Sequence, residues 1–564
     1  MISVSGKIWI ERKINKNLVE KIKQDYKFNE TLSRLIVSRN FDYSEISNIN
    51  NDLKIINIFN NNNDFQEASD LLINSINNKE LICILGDYDA DGAAATSLLV
   101  KYLNHIKHPH FYYIPDRVKD GYGASKKLFQ KLILKKPKLV IMVDCGSTSN
   151  KAVNFLNQNS IRSIIIDHHE INKPYPKSNI ILNPKKNISN REDNYLCATS
   201  LTYFFLDLLI RKTNSNFRIS DYLIYVLLAT VTDVMPMRKI NKIIASNVIK
   251  NFKTKDNKAF KSIFEQLGIN KKITIEDLGY LVGPIINSGG RLGFSNYAID
   301  LLSSTNPIKI QQRTLELIKL NEKRKILEKE ILDMIDYKQI NKNKKNVIIY
   351  YNPYINEGLI GIIAARLKDY YNKPSIVITK SNNILKASAR STHNYNIGLV
   401  IKMLIDKNII EKGGGHNMAA GFTIKKDNLK RLENFIQKDY TNKILDTHLL
   451  HKYDSELSLS VIKKKFIDEI NKLGPFGNNN FVPIFLFKNV NLIKPSIINN
   501  KHISVIIKPN VGSSIKSICF DCLNTKIGEY LLSFKKRINI IAEINENIWN
   551  NKKSVQLNIK DLIL

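Results

Sequence analysis

Three short apolar runs in this chain each end in residues that bind hard cations. Leu81–Leu85 leads into Gly86-Asp87-Tyr88-Asp89-Ala90-Asp91-Gly92, Leu139–Val143 into Asp144-Cys145-Gly146, and Ile161–Ile166 into Asp167-His168-His169. Carboxylates supply the oxygen donors that Mg2+ and Mn2+ prefer, and imidazole adds a nitrogen donor. A fourth acid, Asp233, follows the apolar segment Tyr222–Val231 just before Met235-Pro236. Singly, each piece has a plainer reading. The Asp-x-Asp-x-Asp run reads equally as a solvated turn, and Asp233 as an ordinary helix end. A calcium loop of the EF-hand type is excluded, because its twelfth position, where a bidentate Glu belongs, is Leu98. Together, the acids and two adjacent histidines suffice for two divalent ions. Such a pair, about 3.5–4 Å apart, clamps the attacking and leaving oxygens of an in-line phosphoryl displacement.

The elements that carry these residues decide whether they meet. Continuous β-branched runs bounded by Gly or Asp read as strands buried on both faces of a parallel sheet. Ligands of open α/β sheets sit outside the carboxyl ends of such strands. The three clusters are therefore expected in one crevice, joined by Asp233. Alternating strands and helices continue to about residue 240, the pattern of a doubly wound sheet. Residues 1–45 read as a polar, helical N-terminal extension, and Phe65–Asn77 as an amphipathic helix before the first strand. Gly279–Gly293 reads as a loop. Residues 307–337 read as a long, solvated connecting helix, with Lys and Glu at i,i+4 spacing. A second α/β unit begins near Val347, with strands at Val347–Tyr351, Ser375–Thr379 and Ile384–Arg390, and runs to the glycine-rich Gly413–Phe422. From about Asp454 short alternating strands predict a small β-barrel.

Bulk composition narrows the class. A chain of 564 residues needs several cores. No apolar run reaches the ~20 residues of a membrane span, and Met1–Trp9 lacks the apolar stretch of a signal peptide. Five scattered cysteines fit a reducing cytoplasm rather than a disulfide framework. Cys519-Phe520-Asp521-Cys522 lacks the second pair a zinc site needs, so both thiols read as ordinary strand residues. Lys plus Arg number 85 against 52 Asp plus Glu, a net charge of +33 that favours a polyanionic partner. The wealth of Lys, Asn and Ile is also what an AT-rich genome produces, so the charge supports nucleic-acid binding without proving it. Against that background each Arg stands out. Arg117, Arg291 and Arg390 lie in Gly-rich or polar motifs, and guanidinium forks grip phosphate bidentately where lysine cannot.

Asp87-Tyr88-Asp89-Ala90-Asp91-Gly92, Asp144-Cys145-Gly146, Asp167-His168-His169 and Asp233 resemble the four motifs of the DHH phosphoesterases. Gly413–Gly421 resembles the signature of the associated DHHA1 domain. Ile114–Arg117 with Gly121-Tyr122-Gly123, Asn287–Leu292, and Gly474–Asn480 before the barrel resemble the single-strand-specific 5′→3′ DNA exonucleases of that family. The resemblance implies an α/β fold. Its parts are an N-terminal extension (1–45), a doubly wound DHH domain (46–305), a connecting helix (306–345), an α/β DHHA1 domain (346–445) and an OB-like barrel (450–564).

It also implies that Asp87, Asp89, Asp91, Asp144, His168 and Asp233 hold two Mn2+ or Mg2+ ions. His169 would touch the scissile phosphate, so that His169 and Asp87 are the catalytic pair. Arg117, Arg291, Ser388, Arg390 and His416 would hold the 5′-phosphate and nearby backbone. The implied partners are single-stranded DNA, a single-strand-binding protein and a DNA helicase, with no membrane, for a monomer in a bacterial cytoplasm. Phe476, Phe481, Phe520 and Trp549 are candidates for base stacking on the barrel, although most aromatics of a small barrel are core. Where relatives often carry Arg, His and Gly, this chain has Ile285, Asn356 and Ala387. The alternative is a phosphoesterase of the same core acting on short oligonucleotides or cyclic dinucleotides.

Overall fold

The computed structural model of the chain describes residues 1–50, 54–116, 120–121, 123–186, 194–381, 384–443, 450–509, 512–533, 537–549 and 552–564. They fall into two compact units, one of residues 55–235 and 247–445, the other of 1–54, 236–246 and 446–564.

The first unit contains two sheets. One has five parallel strands in the order His110–Tyr113, Ile82–Leu85, Leu139–Val143, Arg162–Ile166 and Ile180–Leu182. Ile82–Leu85 and Leu139–Val143 are buried along their whole length, as their uninterrupted apolar runs require. Helices Lys126–Leu132 and Asn150–Gln158 cover one face. Ala90–His105 and Ala198–Lys212 lie on the other. The sheet is doubly wound, and Asp87, Asp144 and Asp167 all follow carboxyl ends of its strands.

The second sheet is mixed, in the order Lys412–His416, Ala419–Ile424, Ile384–Arg390, Ser375–Ser381 and Ile348–Tyr351. Only its last two strands pair in parallel. The Gly413–Phe422 signature is a hairpin here, with Gly414 opposite Gly421.

Two expectations change in this unit. Leu278–Val282 and Gly283–Arg291 are helical rather than loop. Their glycines serve close packing, since a Cβ at Gly290 would lie 2.5 Å from the Tyr88 carbonyl oxygen. The connecting helix Pro307–Asp333 is not simply solvated, because it buries Ile310, Thr314, Leu317, Asn321 and Glu328. Glu328 accepts from Arg324 at 2.6 Å and from Arg366 at 2.7 Å, tying this helix to Ile360–Tyr371.

The second unit is built on a closed five-stranded barrel in the order Ile484–Ile498, His502–Lys508, Ile515–Cys519, Lys552–Ile563 and Ile538–Trp549, the last pairing back to the first. The parallel pairing of Ile515–Cys519 with Lys552–Ile563, and a helix at Lys526–Ser533, give the OB arrangement.

Residues 1–45 are an integral part of this unit and not an appendage. Strand Ile8–Glu11 pairs in parallel with Leu450–Tyr453. Val19, Ile22, Leu32, Leu35 and Ile36 share one core with Phe485, Phe487, Val505 and Ile540 of the barrel. The barrel's buried Asp561 accepts from Trp9 Nε1 at 2.9 Å and Ser5 Oγ at 2.5 Å. The local pattern shows two polar helices because the apolar surface they cover lies more than four hundred residues away. Cys519 and Cys522 are buried free thiols. Phe481 and Phe520 are exposed, Phe476 is half-buried, and the Trp549 side chain lies outside the described residues.

Candidate active site

Strand ends and helix ends aim the acidic residues. Asp89 is the N-cap of Ala90–His105 and accepts the Gly92 N–H at 3.0 Å. Asp87 Oδ1 accepts the Tyr88 N–H at 2.7 Å. Asp91, in the first turn of that helix, is buried and caps a second helix. It accepts from Ala198 N at 2.8 Å, Thr199 N at 2.7 Å and Thr199 Oγ1 at 2.6 Å at the start of Ala198–Lys212. A carboxylate at a helix N-terminus is favoured by the dipole and the free N–H groups there. Asp144 has a left-handed backbone, φ 58°, held by its N–H to Ile166 O at 2.9 Å. Asp233 caps the end of Leu223–Thr232, and the next residue, β-branched Val234, has φ 55°. Such outliers cost on the order of 1–3 kcal/mol each and collect at functional sites.

These carboxylates converge on one imidazole. His168 Nε2 lies 3.2 Å from Asp233 Oδ2, 3.3 Å from Asp144 Oδ1 and 3.6 Å from Asp91 Oδ2. That nitrogen and Asp144 Oδ1 are buried without a hydrogen-bond partner. Three donor sets overlap here: Asp91, His168 and Asp233; Asp87, Asp89 and Asp144; and Asp144, His168 and His169. Burial first, and then the charges of Asp91 and Asp89, push the Asp144 and Asp233 carboxyl groups well above their usual value. Burial also holds His168 below its usual value, favouring a neutral imidazole with a lone pair to give. Buried like charges without countercharge are costly, and orphaned donors of oxygen and nitrogen type are what a divalent cation satisfies. The residues present fit a two-ion site.

His169 differs from its neighbour. Its side chain is nearly half exposed. Burial works against its charged form, but the 2.7 Å hydrogen bond from Nδ1 to Asp167 and nearby carboxylates raise it to about 9. Asp167 also accepts the N–H groups of His168 and Ser147, at 2.8 and 3.0 Å. Against the opposing effect of burial, these donors and the His169 charge hold it far below the usual carboxylate range. Asp167 therefore orients the His169 ring and favours its charged form.

A second group of residues in the same unit suits an anion. Arg390 Nη1 donates to Ser388 Oγ at 3.2 Å. A Cβ on Gly361, at the start of Ile360–Tyr371, would lie 3.0 Å from Arg390 Nη2. Arg291 Nη1 donates to Gly358 O at 3.3 Å, and any Cβ at Gly358 would run into the Arg291 carbonyl oxygen, so glycine is required there. Arg291, Ser388 and Arg390 thus gather at the N-terminal end of one helix, where N–H groups and guanidinium forks together bind phosphate. Desolvation, then the charges of Lys185, Arg390 and His169, lower His416, which places it in the same field.

Models of three families match consecutive stretches of the chain: the DHH family N-terminal domain over residues 81–230, the DHHA1 domain over 344–441 and the RecJ OB domain over 453–561. The chain thus carries a DHH-family N-terminal domain, then a DHHA1 domain, then a RecJ-type OB domain. Among similar proteins, the single-stranded-DNA-specific exonuclease RecJ of Bacillus subtilis is 26% identical, covering 98% of this chain and 70% of the relative. That of Haemophilus influenzae is 28% identical, covering 87% of this chain and 89% of the relative. The fold matches the crystal structure of Thermus thermophilus RecJ in complex with Mn2+, with TM-score 0.81 and 19% identity over 98% of this chain and 79% of that one.

Within this chain the structure brings Asp87, Asp89, Asp91, Asp144, His168, His169 and Asp233 together, and Arg291, Ser388 and Arg390 together. Arg117 lies outside the described residues. The departures at Ile285, Asn356 and Ala387 are accommodated structurally. Ile285 and Ala387 are buried, and Asn356 Oδ1 accepts the Gly358 N–H at 2.8 Å. Sequence reasoning missed Thr199, which grips Asp91, and the role of Asn287, whose Oδ1 accepts the Ala90 N–H at 2.8 Å and so holds the first turn after Asp89. The only local hint for Thr199 was a small hydroxyl residue at a helix start.

Proposed function

We propose that the chain is a single-strand-specific 5′→3′ exodeoxyribonuclease that hydrolyses phosphodiester bonds with two divalent cations, Mn2+ or Mg2+, and releases 5′-mononucleotides. The observation that carries this reading is the unbonded His168 Nε2 facing carboxylate oxygens of Asp91, Asp144 and Asp233. The relatives' names and the manganese bound to the Thermus protein support the substrate and the ions.

Asp87, Asp89 and Asp144 form one donor set and Asp91, His168 and Asp233 the other, with Asp144 between them. These residues would hold two divalent cations, which would supply charge neutralisation at the phosphate and acidification of the attacking water. The water oxygen bonds to phosphorus, the bond from phosphorus to the 3′-oxygen of the terminal nucleotide breaks, and that oxygen takes up a proton. His169, cationic and oriented by Asp167, stabilises charge on the phosphoryl oxygens. Arg291, Ser388, Arg390 and His416, with Arg117, hold the 5′-phosphate end. Each cut leaves a new 5′-phosphate on the shortened strand, so the product carries the group this pocket needs for the next turnover.

The domain boundaries proposed for this function are those read from the sequence, with 1–45 packed into the barrel unit. Among the described residues one chain supplies all of the proposed cation donors, which supports a working monomer. A helicase and a single-strand-binding protein would present the strand. The five buried free cysteines support a reducing cytoplasm, and no helix among the described residues is long and apolar enough to cross a membrane.

Digestion of 5′- and 3′-labelled strands tests the reading. With Mn2+, a single strand labelled at its 5′ end should release mononucleotide label at once, duplex should resist, and EDTA should stop the reaction. A dinucleotide in excess should compete poorly. A 5′-phosphate should be preferred over a 5′-hydroxyl, and Arg390→Met should erase that preference. A charge-assisted hydrogen bond contributes about 1.5–3 kcal/mol, so ten- to a hundredfold is expected. Release from the 3′ label first, or equal use of both ends by the parent, would overturn the direction assigned here.

A further inference from the structure

The sheet's last strand contributes a residue to the site that no motif marks. Asn183 follows Ile180–Leu182 and is buried. Its Nδ2 donates to Ser147 Oγ at 2.7 Å and to His169 O at 2.9 Å, and its Oδ1 accepts the Lys185 N–H at 2.8 Å. Ser147 in turn donates its N–H to Asp167. One amide therefore brackets the ends of three strands and ties the Asn183–Lys185 turn to the backbone of His169. Lys185 extends from this bracket and places its ammonium 2.9 Å from Glu170 Oε1, on the residue that follows His169. The Lys185 charge is also felt at His168 and His416. Lys186, its neighbour in sequence, pairs with Asp64 instead, at 3.2 Å.

We propose that Lys185 is a further phosphate-contacting residue of the site, exchanging the Glu170 carboxylate for a backbone phosphate of the strand held beside His169. The inference rests on the exonuclease reading above. Three features carry it. The Asn183 bracket fixes the lysine backbone to the catalytic turn. The Lys185–Glu170 pair is open to solvent on the Glu170 side, with side chains 30% and 60% accessible, and ion pairs that reach solvent contribute little and exchange. A phosphodiester approaching His169 meets Glu170 as a like charge and Lys185 as a countercharge beside it, so transfer of the lysine from carboxylate to phosphate offsets a repulsion with an attraction. In a chain rich in lysine, the bracket distinguishes this one from the solvated majority.

The test is the salt dependence of binding to a 5′-phosphorylated oligo(dT) in EDTA, where no cleavage occurs. Each single-strand phosphate contact contributes about 0.7 to the slope of log Kobs against log [salt]. Lys185→Met should reduce the slope by about that amount and weaken low-salt binding about three- to tenfold. Lys185→Arg should restore both, Glu170→Gln should tighten binding, and Lys186→Met should match the parent. A Lys185→Met protein with the parent's melting temperature and an unchanged slope overturns the inference while leaving the exonuclease reading intact. Weaker binding by Glu170→Gln also counts against it. A parent that binds no single strand removes the exonuclease reading and this inference with it.

Discussion

Substituting Asp144 by Asn is expected to abolish nuclease activity, by about 10³-fold or more, while raising the melting temperature of the metal-free protein. Asp144 is in two of the three donor sets, and its Oδ1 is buried without a partner. Asn keeps the shape but loses the charge and one oxygen donor that would face both ions. Metal stabilisation of a phosphoryl transition state is worth several kcal/mol, and about 4 kcal/mol is a thousandfold in rate. The stability effect runs the other way. In the metal-free site, burial and the neighbouring carboxylates of Asp91, Asp89, Asp87 and Asp233 disfavour the charged form of Asp144. An amide does not carry that penalty, and a gain of about 1 °C per kcal/mol relieved is expected for a unit of this size. The pair of outcomes separates loss of a ligand from misfolding, because a misfolded variant would melt lower. Binding of a 5′-phosphorylated single strand should stay within about threefold of the parent, measured by anisotropy. An Asp144→Asn protein that cleaves at the parent's rate would falsify the two-ion assignment.

The metal-free protein should melt at progressively lower temperature as pH rises from mildly acidic toward 9, and Mn2+ should reverse the loss. The folded-state values of Asp144 and Asp233 lie above those of the unfolded chain. Their contribution is therefore full below the ordinary carboxylate value of about 4 and disappears as pH climbs through the raised values. His169, raised to about 9, adds stability below its unfolded value of about 6.5 that is lost by pH 9. Two groups act in the opposite sense. Asp167 is held low and His168 is lowered, so their contributions are lost as pH falls, which limits stability on the acid side. Cations that replace the protons on Asp144 and Asp233 remove the alkaline loss, and their affinity should rise with pH as protons are released. At a hundredfold over Kd each ion adds about 2.7 kcal/mol, or roughly 3 °C for a unit of this size. Calorimetric melting from pH 5 to 9, with EDTA and with Mn2+, measures this. A metal-free melting temperature that climbs steadily to pH 9 would contradict the buried carboxylate cluster.

The acids and histidines were legible because each sits at the end of a local pattern. A β-branched run followed by Gly or Asp announces a buried strand and the turn after it, and donor type announces a hard cation. The barrel strands were legible for the same reason, from alternation and turn residues. What was not legible depends on partners far along the chain. Asp91 meets Thr199 across 108 positions and Ala90 meets Asn287 across 197, and neither contact leaves a periodic trace. Gly279–Gly293 reads as a loop because glycine lowers helix propensity, yet it is helical, and its Gly290 serves packing, since Tyr88 leaves no room for a side chain there.

Sequence alone thus determined the chemistry on offer: which donors exist, at which strand ends, and that they suit two hard cations and a phosphate. Tertiary structure decided which atoms oppose one another. It left His168 Nε2 and Asp144 Oδ1 without partners, gave Asp91 a second duty as a helix cap, and joined residues 1–45 to the barrel. It also set Lys185 beside His169. The physical reason is range. Strand and turn preferences act over a few residues and are written in neighbouring letters, whereas convergence of charges and close approach of backbones belong to pairs of distant segments and exist only once the chain has packed.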